Sequence, residues 1–63
     1  MQTEALMSPE ALAEFLGVPI KTVYQWRYRN LGPRGIKVGK HVRYAPEAVR
    51  EWLERQADPK RVA

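Results

Sequence analysis

The sequence predicts a mostly α-helical domain with one small β-hairpin, in the order helix, helix, hairpin, helix. Two observations indicate this fold class. Apolar residues recur at helical spacing in three segments, and each segment is followed by a glycine or a proline. Between the second and third of them, the stretch "IKVGKHVRY" alternates apolar and polar residues on either side of Gly39–Lys40. A chain of 63 residues has room for only one domain with a small core.

The first helix is predicted over residues 9–16. Ser8 can cap its free N–H groups, Pro9 suits the first turn, and Glu10 favours the positive end of the helix dipole. Gly17 then ends the helix. Its apolar face is expected to contain Leu12, Ala13, Phe15 and Leu16.

The second helix is predicted from Ile20 to Arg29, with Val23 and Trp26 on its inner face. Two glycines and a proline make residues 30–35 a loop. The third helix is predicted over residues 46–56, after Pro46. Its buried stripe is expected to contain Ala48, Val49, Trp52 and Leu53.

The hairpin is predicted from strands at 35–38 and 41–44 around Gly39–Lys40. Glycine at the first central position suits a type II′ turn. Alternation is expected to direct Val38, Val42 and Tyr44 toward the core and Arg43 away from it. The predicted organisation is therefore an N-terminal tail, one folded domain and a C-terminal tail, over residues 1–7, 8–56 and 57–63.

The net charge of +4 is unevenly distributed. Residues 1–19 contain three glutamates and no lysine or arginine, whereas residues 20–44 contain seven lysines and arginines and no acid. Residues 45–63 contain four residues of each sign. Most charge runs are simply solvated surface, but an acid-free block of this length exceeds what solubility requires. It indicates a polyanionic partner.

Several classes of protein are disfavoured by composition. The absence of cysteine excludes disulfides and thiolate metal sites. His41 is the only histidine and has no carboxylates near it in sequence, so we expect no metal site, no cofactor and no catalytic residues. No apolar run reaches the length of a membrane span, and the first residues do not resemble a secretion signal. We therefore expect a soluble, cytoplasmic protein that is not an enzyme.

The first two helices have the pattern of a helix-turn-helix. Ala13 is small where a second helix would cross closely, and Gly17 tolerates a positive φ in the turn four positions later. An ordinary helical hairpin is the alternative reading. The apolar residues at the offsets that face inward are Leu12, Leu16, Val18, Val23 and Trp26.

The opposite face of the second helix could enter a DNA major groove. Gln25 can form paired hydrogen bonds with adenine, and Lys21 or Arg29 can bind guanine or phosphate. The hydroxyl groups of the face are candidate phosphate donors. The six candidates on this face are Lys21, Thr22, Tyr24, Gln25, Tyr28 and Arg29. We expect about half of them to contact DNA, since solvent exposure is the simpler explanation for each.

The hairpin after this unit then has the character of a wing. Lys40, His41 and Arg43 could reach the DNA backbone or an adjacent minor groove, where arginine is favoured. His41 is expected to be a phosphate donor or merely exposed.

Residues 8–56, "SPEALAEFLGVPIKTVYQWRYRNLGPRGIKVGKHVRYAPEAVREWLERQ", resemble the small winged helix-turn-helix domains of the excisionase and MerR-like superfamily. The shared features are the Leu-Gly-Val turn, a "TVYQW"-like recognition helix, a basic hairpin with an arginine near its end, and a Trp-Leu pair. The resemblance implies DNA contacts by Lys21, Thr22, Gln25, Arg29 and Arg43. One departure is Pro19, which stands where a serine or threonine often caps the second helix.

The resemblance also implies a function in DNA excision. Phage and mobile-element excisionases, or recombination directionality factors, bend DNA, bind neighbouring sites cooperatively and direct an integrase toward excision. A copy bound to DNA could place its acidic first helix against the basic wing of its neighbour, head to tail. We expect such a protein on the nucleoid of a bacterial host.

Two other functions stay open. A small transcription regulator is the first, although the chain ends soon after the third helix, without the long dimerisation helix usual in MerR-type regulators. The second is a protein-interaction module whose basic face binds an acidic partner.

Overall fold

The computed structural model describes residues 5–57. Every predicted element is present in the predicted order, and each end lies within one residue of its predicted position. Of the two predicted tails, residues 1–4 and 58–63 lie outside the described residues. The five elements are α1 (Pro9–Leu16), α2 (Ile20–Tyr28), β1 (Ile36–Val38), β2 (His41–Arg43) and α3 (Pro46–Arg55).

Both ends of α1 are fixed by the residues that the sequence indicated. The Ser8 hydroxyl accepts a hydrogen bond from the Ala11 N–H at 3.0 Å. At the other end, Gly17 has φ 74°, and its N–H and that of Val18 donate to the Ala13 carbonyl at 2.8 and 3.0 Å. This bonding satisfies carbonyls that the helix leaves unpaired and turns the chain sharply toward α2.

The contact between α1 and α2 forms the centre of the core. Leu12, Ala13 and Val23 are buried, as the helix-turn-helix pattern predicts. Pro19 precedes α2 and makes no side-chain cap, so only its carbonyl contributes, by accepting from the Thr22 N–H at 2.9 Å. Partly buried residues that pack around this centre include Leu16, Val18, Ile20, Trp26 and Val42.

The third helix packs on the helix-turn-helix through Val49, which is buried, and through its tryptophan. The ring centroids of Trp26 and Trp52 are 5.1 Å apart. Tyr44, just after β2, is 3% exposed and completes the core. Three helices and a two-stranded antiparallel hairpin together form a winged helix-turn-helix.

Two predictions of burial on the helices are wrong. Phe15 is 62% exposed, because it lies about 160° around α1 from buried Ala13, where no described element covers the helix. Leu53 is 39% exposed, because it lies one turn beyond Val49, where nothing described covers α3. The two side chains line an apolar groove of about 250 Å³ with Met7, Pro46, Val49 and Arg50.

The hairpin has the predicted two-residue turn. Gly39 has φ 62° and Lys40 does not adopt a positive φ, as type II′ rather than type I′ requires. Val38 pairs with His41, and Lys37 pairs with Val42. Directly opposite residues share a face. The prediction that Val38 and Val42 both face the core is therefore wrong: Val42 packs on the core, whereas Val38 is 48% exposed.

A backbone pairing that the sequence did not indicate precedes α1. The Met7 N–H donates to the Tyr44 carbonyl, and the Tyr44 N–H donates to the Met7 carbonyl, both at 2.8 Å. The segment before α1 is thus bonded to the end of the wing.

Candidate nucleic-acid interface

The outer face of α2 presents the side chains that the sequence selected. Lys21, Gln25 and Tyr28 are exposed and follow one another at intervals of four and three, so they form one stripe opposite Val23. Tyr28 is 90% exposed. Of the other three candidates, Tyr24 and Arg29 are exposed and Thr22 is half-buried.

The wing holds its cations in two ways. Lys40 and His41 are exposed at the turn. Arg43 is half-buried, and its Nη1 donates to the Val42 carbonyl at 2.8 Å, which holds the side chain against its own strand. A guanidinium has five N–H donors, so Arg43 keeps donors for an outside acceptor.

The wing and α2 meet across one groove of about 300 Å³. The structure therefore brings Tyr24 together with the three predicted wing residues Lys40, His41 and Arg43. The remaining α2 candidates lie outside this groove, on the helix face itself. The other residues that line the groove are Val42 and, around the start of α1, Ser8, Pro9 and Glu10.

The family assignment agrees with this geometry. A family model described as a helix-turn-helix domain matches residues 6–57. The chain belongs to the helix-turn-helix domain family. Members of this family are DNA-binding and typically non-enzymatic. No curated protein and no solved structure matched the chain.

In this helix-turn-helix domain, Glu10 is a site residue that the sequence did not place in the groove. The Tyr24 hydroxyl donates to Glu10 Oε2 at 3.3 Å. A single carboxylate among the groove's cations orients Tyr24 and disfavours a phosphate beside it. No local sequence signal gives this contact, because it exists only where α1 crosses α2.

The helix-turn-helix domain shows no sign of a membrane segment in the part that the structure describes. None of the helices between residues 5 and 57 is both long enough and apolar enough to cross a bilayer.

Proposed function

We propose that the protein is an excisionase that binds specific duplex DNA with α2 in the major groove and with the wing on the backbone or in the adjacent minor groove. The observation that supports this most is the groove in which Tyr24 of α2 and Lys40, His41 and Arg43 of the wing lie together. A duplex lying against α2 would meet both elements at once.

The stripe of Lys21, Gln25 and Tyr28 would read or position the duplex. Gln25 can pair with an adenine edge, and Lys21 can bind guanine or phosphate. Thr22 and Arg29 lie to one side of this stripe, where hydroxyl and guanidinium groups suit phosphates. Tyr24 lies to the other side, and its hydroxyl would have to leave Glu10 before it could donate to a phosphate. Base contacts from the stripe would supply specificity, and the flanking contacts would set the register.

DNA bending is supported by the outer face of the wing. Ile36 and Val38 are 42% and 48% exposed, and the pairing of the strands puts them on the same face as His41 and Arg43. Apolar side chains pressed against a minor groove can separate base steps and kink the duplex, while adjacent cations bind its phosphates.

Cooperative head-to-tail binding is supported by surfaces on α1 that the proposed DNA face leaves open. Glu14 and Phe15 are exposed there, and the basic wing of a neighbouring copy would meet the negative charge of Glu14. The integrase as a partner rests on the resemblance to excisionases alone. A small transcription regulator is the alternative role of the same DNA-binding surface.

Selection of bound sequences from a random duplex pool at near-physiological salt tests the proposal. Direct repeats spaced by about one helical turn, roughly 10–10.5 base pairs, are expected for head-to-tail binding. An inverted repeat would instead indicate a symmetric dimer and favour a transcription regulator.

Titrations of the protein with duplex DNA at increasing salt concentrations distinguish DNA binding from the alternative function as a protein-interaction module. About five phosphate contacts predict a slope of log K against log salt of roughly −4 to −5. A failure to enrich any sequence, together with a negligible slope, would contradict DNA binding.

A further inference from the structure

A second basic cluster surrounds the loop between α2 and β1. The loop residues 30–35 form one wall of an open pocket of about 340 Å³. Arg27 from α2, Arg34 from the loop and Arg55 from the end of α3 line it together with Tyr44. Pockets that hold small ligands begin at about 300 Å³, so this one has room for a phosphate and its ester substituents.

The charges of this pocket are unbalanced. Three arginines from three separate parts of the chain line it, and no described acidic residue does. Like charges repel, so such a cluster is stabilised by an anion that lies among them. Guanidinium groups bind phosphate oxygens with pairs of parallel hydrogen bonds, which makes phosphate the anion that this cluster fits best.

The backbone at Gly35 makes room for one of these groups. A Cβ at Gly35 would lie 3.3 Å from Arg27 Nη1, 3.3 Å from Tyr44 Cε1 and 3.1 Å from Val42 Cγ1. The absence of that side chain lets the Arg27 guanidinium lie beside Tyr44. Burial raises the pKa of Tyr44, against a smaller opposite effect of Arg27, so the hydroxyl stays neutral and remains a hydrogen-bond donor.

The pocket is separate from the outer face of α2 that is proposed to bind DNA. Arg27 follows Val23 by four residues, so it lies on the side of α2 near the base of the wing rather than on the outer stripe. None of the nine described candidate DNA contacts lines this pocket.

We propose that this pocket binds a phosphate group and, resting on the DNA binding proposed above, that the group is a backbone phosphate of the same duplex. The pocket would then hold the DNA at the base of the wing, in addition to the contacts at the wing turn.

The phosphate site is tested first without DNA. The arginine Nε–H signals of the full chain are followed by NMR during titration with inorganic phosphate, against chloride at matched ionic strength. Saturable shifts are expected at Arg27, Arg34 and Arg55 and not at Arg50, which lines the apolar groove instead. Equal shifts at every arginine, or none, would overturn the phosphate site whether or not the protein binds DNA.

The source of the phosphate is tested with duplex DNA. Arg34→Gln is expected to weaken binding severalfold on all sequences and to lower the salt slope by about one, while the matched change Arg50→Gln leaves both unchanged. If Arg34→Gln behaves like Arg50→Gln although phosphate shifts the three signals, the pocket takes free phosphate and the duplex part of the proposal is wrong. If the wild type binds no duplex, the proposed function fails, and the NMR titration still decides the site.

Discussion

The indole rings of Trp26 and Trp52 pack against each other with centroids 5.1 Å apart and planes inclined by 52°. Trp26 lies on the inner side of α2, and Trp52, which contacts it, belongs to α3. Tilted aromatic pairs of this kind contribute about 0.5–1.5 kcal/mol beyond the area that they bury. The direction of the outer face of α2 is therefore set by α3 as well as by the turn from α1.

Truncation of this pair should destabilise the whole domain. Trp52→Ala is expected to lower the free energy of unfolding by about 3 kcal/mol, because it removes a large apolar side chain and the ring contact together. Urea unfolding followed by circular dichroism measures the change. Leu53→Ala, at the exposed neighbouring position, should cost less than about 1 kcal/mol. Similar losses for both variants would show that the ring pair is not important for stability.

The stability of the domain should fall at alkaline pH through Tyr44. Burial raises the pKa of this side chain above 10.0, with a smaller lowering by Arg27. The folded state thus holds the proton more tightly than the unfolded state. The resulting stabilisation is fully present below pH 10.0 and is lost as the pH rises through the folded pKa.

Urea unfolding of wild type and Tyr44→Phe across about pH 8–11 measures this effect, since phenylalanine cannot titrate. The wild type should lose more stability than Tyr44→Phe over that range. Tyr28→Phe serves as the control, because Tyr28 is 90% exposed, and its profile should follow the wild type. Parallel curves for all three proteins would mean that ionisation of Tyr44 does not contribute to the pH dependence of stability.

Gln25 and Arg43 should affect DNA binding in different ways. Gln25→Ala is expected to relax preference at one base pair, by about 1–3 kcal/mol of discrimination. Arg43→Ala should weaken binding to all sequences similarly and reduce the salt slope by about one, because a phosphate contact has no sequence information. Competition binding with single-base variants of a selected site separates the two. Equal effects of both changes on unrelated sequences would contradict this division.

Glu10 should weaken DNA binding in the native protein. Glu10→Gln removes a negative charge from the groove but keeps an acceptor for the Tyr24 hydroxyl. Affinity for an isolated single site is expected to rise about two- to fivefold, the size expected for one exposed charge. Glu14→Gln, one turn further along α1 and outside the groove, should leave that affinity nearly unchanged. Titrations at fixed salt compare the two, and an equal gain would point to net charge alone.

Cooperativity on DNA should depend on Glu14. Reversal of this charge by Glu14→Lys is expected to weaken binding to adjacent sites relative to a single site, because the basic wing of a neighbour would be repelled. Glu10 is unsuited to this test, since it lies in the groove of its own copy. Binding isotherms on one-site and two-site duplexes measure the ratio. A ratio equal to that of the wild type would exclude contact of a neighbour with α1.

The sequence predicted those features that depend on residues a few positions apart. Ser8, Gly17 and Gly39 each specify a cap or a turn through their own chemistry, so the ends of α1 and the type of turn were predictable. The two-residue turn also fixes the pairing of Val38 with His41, and this register could have revealed that Val38 faces outward.

Features that depend on packing between distant segments were not predictable. Phe15 and Leu53 fit an apolar face by periodicity, but periodicity does not show how far a neighbouring element covers that face. Contacts such as that of Tyr24 with Glu10 arise only once the crossing of α1 and α2 is known. The same holds for the convergence of Arg27 and Arg55 around one loop.

The pairing of Met7 with Tyr44 has a consequence for how the domain folds. It closes a loop of backbone that contains both helices of the helix-turn-helix and the whole hairpin. The entropy of closing such a loop must be lost before the pairing stabilises the fold, which favours the early formation of contacts between near neighbours. During synthesis Met7 emerges first but must wait for Tyr44, so the beginning of the domain is completed only after the wing has been made.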